Sequence, residues 1–139
     1  MRIFLALLLA LVAVPASAQT FLDPTQFVSL GIRISANVDK GFLGQVWDNS
    51  SPILKRISQR ATFVTAMTQR RSTFGLVRSR DWVGISRMSV TNPKDGRPLG
   101  DYISVSYIAS CNNPNGLHEQ LLFFHDRDGL WRLAGYQMQ

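Results

Sequence analysis

At Leu76 the spacing of apolar residues changes from that of a helix to that of a strand, and this change fixes the class of fold open to the chain. Upstream, Phe27, Leu30, Ile34 and Val38 recur at helical spacing and mark the buried face of a first helix. Its start is written into Asp23, Pro24 and Gln26. Asp23 can accept from an orphan N–H, Pro24 suits the first helical position, and Gln26 can reach back. Leu22 and Phe27 sit where a hydrophobic staple forms. Asp39-Lys40-Gly41 ends the helix. A short second helix carries Phe42, Val46 and Trp47 and closes at 48–51, and Pro52 opens the next turn. Phe63, Met67, Arg70 and Phe74 share one face of a further helix, with Gly75 placed to cap it. Arg70 is the charged member of that apolar face.

Downstream, four strands are expected near 77–91, 101–111, 117–125 and 130–138. The breaks between them are Asn92-Pro93-Lys94-Asp95-Gly96, Asn112-Asn113-Pro114-Asn115-Gly116 and Asp126-Arg127-Asp128-Gly129. Helices first and hairpin-linked strands second predict an α+β domain, with two to three N-terminal helices packed on one face of a four-stranded antiparallel sheet.

The first 18 residues stand apart. Met1-Arg2 precedes an apolar run of 12 residues from Ile3 to Val14, and Pro15-Ala16-Ser17-Ala18 follows. A positive start, a short apolar core and a small-residue ending make a secretory signal, cleaved after Ala18. The expected product is a single domain over 19–139, exported to a periplasm or medium, with no transmembrane segment. Cys111 is the one cysteine, so no disulfide forms within the chain; it reads as a small buried hydrophobe. Two His and one Cys with no ligand spacing predict no metal and no cofactor.

After cleavage 14 Lys and Arg face 9 Asp and Glu. Lys55, Arg56, Arg60, Arg70, Arg71, Arg78, Arg80 and Arg87 are opposed within 55–87 by Asp81 alone. Such a stretch suits an anionic surface, an envelope polymer or lipid, with Lys55, Arg56, Arg60, Arg71 and Arg78 as contacts. Its bland reading is a solvated face with one or two arginines turned inward. Clustered arginine also suits nucleic acid, which an exported chain rarely meets, so no nucleic-acid partner is expected.

Strand parity singles out one carboxylate. A three-residue loop at Arg127-Asp128-Gly129, with Gly129 left-handed, keeps odd residues opposite odd in the last hairpin. The odd set then faces the helices: Ile103, Val105, Tyr107, Ala109 and Cys111; Leu117, Glu119, Leu121 and Phe123; Trp131, Leu133, Gly135 and Gln137. Glu119, the only Glu, falls in the core with Ala109 expected opposite. A buried carboxylate needs a partner; Arg70 is the first candidate, Arg80 and Arg87 the next. The reading is either a buried ion pair that fixes packing, or a carboxylate at the floor of a pocket available for acid–base work. Tyr107 and Tyr136 complete the candidate set. Trp47, Trp82 and Trp131 read as core. Tyr102, Ile108, Leu122, Phe124 and Tyr136 fall on the outer face, which suggests a homodimer or a protein partner there.

The closing run Glu119-x-Leu121-x-Phe123, then Asp128-Gly129-Leu130-Trp131-Arg132-Leu133-Ala134-Gly135-Tyr136, resembles the ending of the bacterial family catalogued as domain of unknown function 4019. Val38-Asp39-x-Gly41 with Trp47, Phe74-Gly75 with Arg80, and Tyr102-x-x-Val105-x-Tyr107 are similar to earlier segments of that family, in order. The resemblance implies an exported, cone-shaped helix-plus-sheet domain like the nuclear-transport-factor-2-like proteins, and no activity. Such folds host both enzymes and inert binders. The function expected is a non-catalytic binding or protein-interaction module. The alternatives are an anionic-surface binder through 55–87, or a small isomerase or lyase with Glu119 as general base.

Overall fold

The computed structural model describes residues 22–93 and 96–139; the secretory signal expected at 1–18 lies outside them. Asp23 caps α1 (Pro24–Asp39) by accepting from the Thr25 backbone N–H at 2.9 Å, and Pro24 takes the first helical position. Then come α2 (Leu43–Asp48), α3 (Pro52–Ile57) and α4 (Arg60–Ser72). Among the described residues the helices number four because the turn at Pro52 continues as α3, capped by the Ser51 hydroxyl, which accepts from the Ile53 N–H. Four strands follow, β1 (Ser79–Val90), β2 (Gly100–Ser110), β3 (Leu117–His125) and β4 (Trp131–Met138), as one antiparallel sheet in chain order. The architecture is α+β, as the change of period at Leu76 requires. No helix among the described residues is long and apolar enough to cross a membrane.

The parity expected for β2 and β3 holds. Ile103, Val105, Tyr107 and Ala109 are buried with Leu117, Glu119, Leu121 and Phe123. The hairpin loop is also the expected one: Asp126 N–H donates to the Leu130 C=O at 2.9 Å, Gly129 has φ 82°, and His125 pairs with Trp131. Two details differ. Tyr107, not Ala109, stands opposite Glu119, and Ala109 faces Leu117. In β4 the register slips after Leu133, so that Leu122 pairs with Gly135 and Leu121 with Tyr136. Ala134 is the extra residue of a bulge, and every side chain beyond it changes face. Tyr136 and Met138 therefore turn inward, where Gly135 and Gln137 were expected.

The face that α1 buries is rotated from the expected one. Phe27, Gly31, Ser35 and Val38 are buried, while Leu30 and Ile34 pack at the margin. Small residues sit centrally because two tyrosines rise from the sheet beneath them. The Tyr107 hydroxyl donates to the Val28 C=O at 2.6 Å, in the space that Gly31 leaves by having no Cβ. A Cβ there would stand 2.3 Å from that hydroxyl oxygen.

The outer face is less bare than its sequence suggests. Tyr136 has left it. Tyr102, only 2% exposed, lies against Phe124 with ring centroids 4.9 Å apart, and its hydroxyl donates to the Pro98 C=O at 2.7 Å. Ile108 and Val83 stay exposed. Trp82, expected in the core, is 53% exposed on edge strand β1, while Trp47 and Trp131 pack against the core.

Gly31→Ala is expected to lower stability in chemical denaturation by about 1–3 kcal/mol through overpacking. Alanine's better helix propensity, about 1 kcal/mol, does not offset it fully. In a Tyr107→Phe background, where the nearest atom is gone, the loss should shrink.

Candidate functional site

Glu119 lies at the centre of the helix-covered face with 0% of its side chain exposed. Its partner is Arg80 of β1, whose guanidinium forks onto the carboxylate: Nε donates to Oε2, and Nη2 to Oε1 at 3.1 Å. Arg80 reaches across β2 to do so. The residue beside it on β2 is Ala109, whose short side chain leaves the path open. The same Nη2 also meets Asp39 at the end of α1, 3.2 Å from Oδ2. Asp39 also accepts from Arg71 Nε at 2.8 Å, and Arg71 donates to the Gly75 C=O at 2.6 Å. The chain of charges Arg71, Asp39, Arg80 and Glu119 thus alternates in sign from the surface to the core.

Tyr136 closes the other side. Its hydroxyl donates to Glu119 Oε1 at 2.5 Å and lies 2.9 Å from Ser35 Oγ. A phenol has one proton, and the carboxylate is the stronger acceptor. Ser35 then donates to the Tyr136 oxygen. No buried side-chain nitrogen or oxygen among the described residues lacks a partner.

The electrostatics follow this geometry. Burial, then the charge and hydrogen bond of Glu119, push the Tyr136 phenol far above its ordinary range. Burial first and the Glu119 charge second push Tyr107 up to about 12, and burial raises Tyr102 as well. Burial opposes the charge of Arg80, but the hydrogen bond and charge of Glu119, helped by Asp39, outweigh it and raise Arg80 above its usual value.

A general base must come within hydrogen-bond reach of its substrate, and Glu119, with no exposed surface and three hydrogen bonds from Arg80 and Tyr136, is shielded from one here. A cleft of about 160 Å³ on the outer face borders residue 119, but the buried side chain leaves it only strand backbone to meet. The chemistry of the arrangement is that of a satisfied ion pair. Among the described residues, no three His, Cys, Asp or Glu side chains gather as a metal site.

Arg70, the first candidate, is not the partner of Glu119. Its Nε donates to the Met138 C=O at 2.7 Å and its guanidinium lies over the Phe74 ring at 5.2 Å. Arg87 sits near Asp101 at 3.6 Å and is largely exposed. The basic stretch is also mostly engaged within the molecule. Arg60 forks onto Asp48, Lys55 donates to the Asp48 C=O over the Trp47 ring, and Arg71 holds Asp39. Arg78 donates to the Cys111 C=O and to Asn112. Arg56 alone of the five contacts expected there has no such partner among the described residues. Cys111 is a buried free thiol.

Sequence reasoning missed Asp39 and Ser35. Asp39 stands out in the sequence as a helix end and as part of the Val38-Asp39-x-Gly41 segment, with no role attached, and Ser35 does not stand out at all. Its spacing from Gly31, one helical turn, was the available signal.

The model of a family described as protein of unknown function (DUF4019) matches residues 32–136. The chain belongs to that family. A comparison with curated proteins finds no match. The DUF4019 match takes in Ser35, Asp39, Arg71, Arg80, Glu119 and Tyr136, so the whole network lies within the family's span.

Replacing Arg80 by Met strands a buried carboxylate, and urea denaturation at neutral pH should show a loss of about 3–5 kcal/mol. Arg70→Met removes a hydrogen bond at the surface and should cost about 1 kcal/mol. A larger loss for Arg70 would contradict the pairing.

All three tyrosines, Tyr102, Tyr107 and Tyr136, have raised values. Their contribution to stability is complete below the ordinary phenol value of about 10 and is lost as pH rises through the folded values. Phenolate absorbance of the native protein should rise at a higher pH than that of the denatured chain, which titrates near that ordinary value. Native and denatured titrations that coincide would overturn the assignment.

Proposed function

We propose that this member of DUF4019 is an exported, non-catalytic interaction module that engages a protein partner, a second copy included, through the outer face of its sheet. The observation that carries the reading is the contrast between the two faces. Inside, the Glu119 carboxylate is enclosed and accepts three hydrogen bonds from Arg80 and Tyr136. Outside, a trough with an uncharged floor crosses all four strands. Gly84, Ser106, Gln120 and Gln137 stand side by side in register, and Ser86, Ser104, Leu122 and Gly135 form the next row. Clefts of about 160 and 320 Å³ share Gln120 and Gln137. Exposed Val83 and Ile108 border the first cleft.

Small residues let another surface approach the strands closely, and amides and hydroxyls can bond to it without desolvating a charge. A polar, uncharged floor with Val83 and Ile108 on its border, and with His118 and Arg97 lining the two clefts, is the make-up of a recognition surface. The secretory pattern of Met1 to Ala18 supports export to a bacterial periplasm or medium. Helices over one face of an antiparallel sheet support a cone of the nuclear-transport-factor-2-like kind, as the family resemblance implies.

Native mass spectrometry of untagged protein, recovered from the compartment to which it is exported, tests this. The expected chain begins at Gln19 and carries the mass of a second copy or of another protein. Ser106→Arg, which sets a long charged side chain on the trough floor, should strip that companion without changing the melting temperature. A bare monomer from the wild type, or a companion indifferent to Ser106→Arg, refutes the reading.

A further inference from the structure

A separate cleft, of about 750 Å³, opens where the start of α3, the end of the β1–β2 connection and the β3–β4 hairpin meet. Its volume suits a small molecule. Ile53 and Phe124 line its apolar side, and Leu99, 54% exposed, stands beside them. Pro52 and Pro98 also line it, and their fixed φ stiffens the backbone around it. Gly100, with φ 141°, lies so close to Phe124 that a Cβ would stand 2.6 Å from the ring. Glycine is what lets the strand begin against that ring.

The polar side of the cleft is closed upon itself except at two points. Asp126 is buried and accepts from the Ser51 hydroxyl at 2.7 Å and from Arg132 at 2.9 Å. Arg132 also forks onto Asp128 at 3.0 and 2.7 Å, and that hydrogen bonding holds the Asp128 carboxyl down at about 2. Arg132 thus bonds both aspartates and leaves one negative charge in excess, which the two further arginines of the lining outweigh. Arg56 and Arg127 remain, both exposed lining residues. Neither has a carboxylate or hydrogen-bond partner among the described residues.

We propose that this cleft binds an amphiphilic anion, with its carboxylate or phosphate held by Arg56 and Arg127 and its hydrocarbon part laid on Ile53, Leu99 and Phe124. Guanidinium forks match carboxylate and phosphate oxygens geometrically. In open water, however, two screened cations hold a bare anion weakly. The adjoining apolar surface supplies the rest, at roughly fourfold in affinity per methylene buried. The site shares no residue with the trough floor of the outer face, so failure of either proposal leaves the other standing.

Isothermal titration of the mature protein with decanoate and with decyl phosphate, each kept below its micelle concentration, is the test. At least one should bind saturably with Kd below about 1 mM, and the tighter of the two identifies the head group. The double variant Arg56→Gln/Arg127→Gln should weaken binding by about tenfold or more. It should leave the melting temperature unchanged, because neither side chain supports the fold. Leu99→Asp should weaken binding from the apolar side, and Arg60→Gln, which removes a cation outside the cleft, should not. Decanol binding as tightly would reduce the site to an apolar groove, and inorganic phosphate binding as tightly would reduce it to a bare anion contact. Either result overturns the proposal, as does unchanged affinity in the double variant or no saturable binding by either amphiphile.

Discussion

The buried contact between Arg80 and Glu119 is the constraint around which the rest of the molecule is arranged. A carboxylate with no exposed surface loses its hydration, and only a close, fully bonded partner makes that tolerable. The fork of Arg80 provides two of the bonds and the Tyr136 phenol a third. Each of these has a condition elsewhere in the chain. Arg80 reaches Glu119 because Ala109 on the strand between them is small. Its Nη2 is shared between the two carboxylates because α1 ends with Asp39 at that point. Apolar residues of the same volume often stabilise a fold as well as a buried pair does, so energy alone does not account for the arrangement. What the pair adds is position, since Arg80 meets both carboxylates only when α1 lies in one place over the sheet.

The bulge at Ala134 and the small residues of α1 answer the same requirement from two sides. Without the extra residue in β4, parity would carry Tyr136 to the outer face, and Glu119 would lose its third bond. Once inside, two tyrosines stand between sheet and helix, and a helix with large side chains on that face could not settle. Gly31 and Ser35 give the clearance, and both phenols find polar partners on α1, the Val28 carbonyl and the Ser35 hydroxyl. Helix–sheet packing here is a polar contact set in an apolar ring formed by Phe27, Val38, Leu121, Phe123 and their neighbours.

What was legible in the sequence follows from which physical rules are local. The period change at Leu76, the cap at Asp23 and the left-handed Gly129 are properties of a few consecutive residues, and all three appear in the fold. Parity carried Glu119 correctly into the core because β2 and β3 pair without interruption. It misplaced Tyr136 because a bulge has no fixed sequence mark and inverts everything after it. Arg70 was preferred over Arg80 because helical spacing put it on an apolar face. Spacing, though, gives the direction of a side chain and not its reach, and the nearest acceptor to Arg70 is the Met138 carbonyl at the sheet edge. The run of cations in 55–87 looked like one surface only while it was a line; folding distributes it over α3, α4 and β1 and answers most of it internally. Asp39 could not be ranked, because its importance comes from two arginines that are distant in sequence.

The two edges of the sheet also bear on where the molecule can meet another. On β4 the outward carbonyls of Leu133 and Met138 are taken by the Ser51 N–H and by Arg70, so that edge offers a broken ladder to an incoming strand. On β1 the register is interrupted between Trp82 and Gly84, and Asp81 and Arg87 flank the interruption. Bulges and charges of this kind discourage edge pairing. The helix-covered face is filled by the core and by the Glu119 network. Extension of the sheet and entry into its interior are therefore both disfavoured by the same residues that stabilise the fold. The two surfaces proposed for recognition, the trough across the strands and the cleft beside the last hairpin, lie clear of both, and in the cleft Arg56 and Arg127 have no carboxylate partner among the described residues.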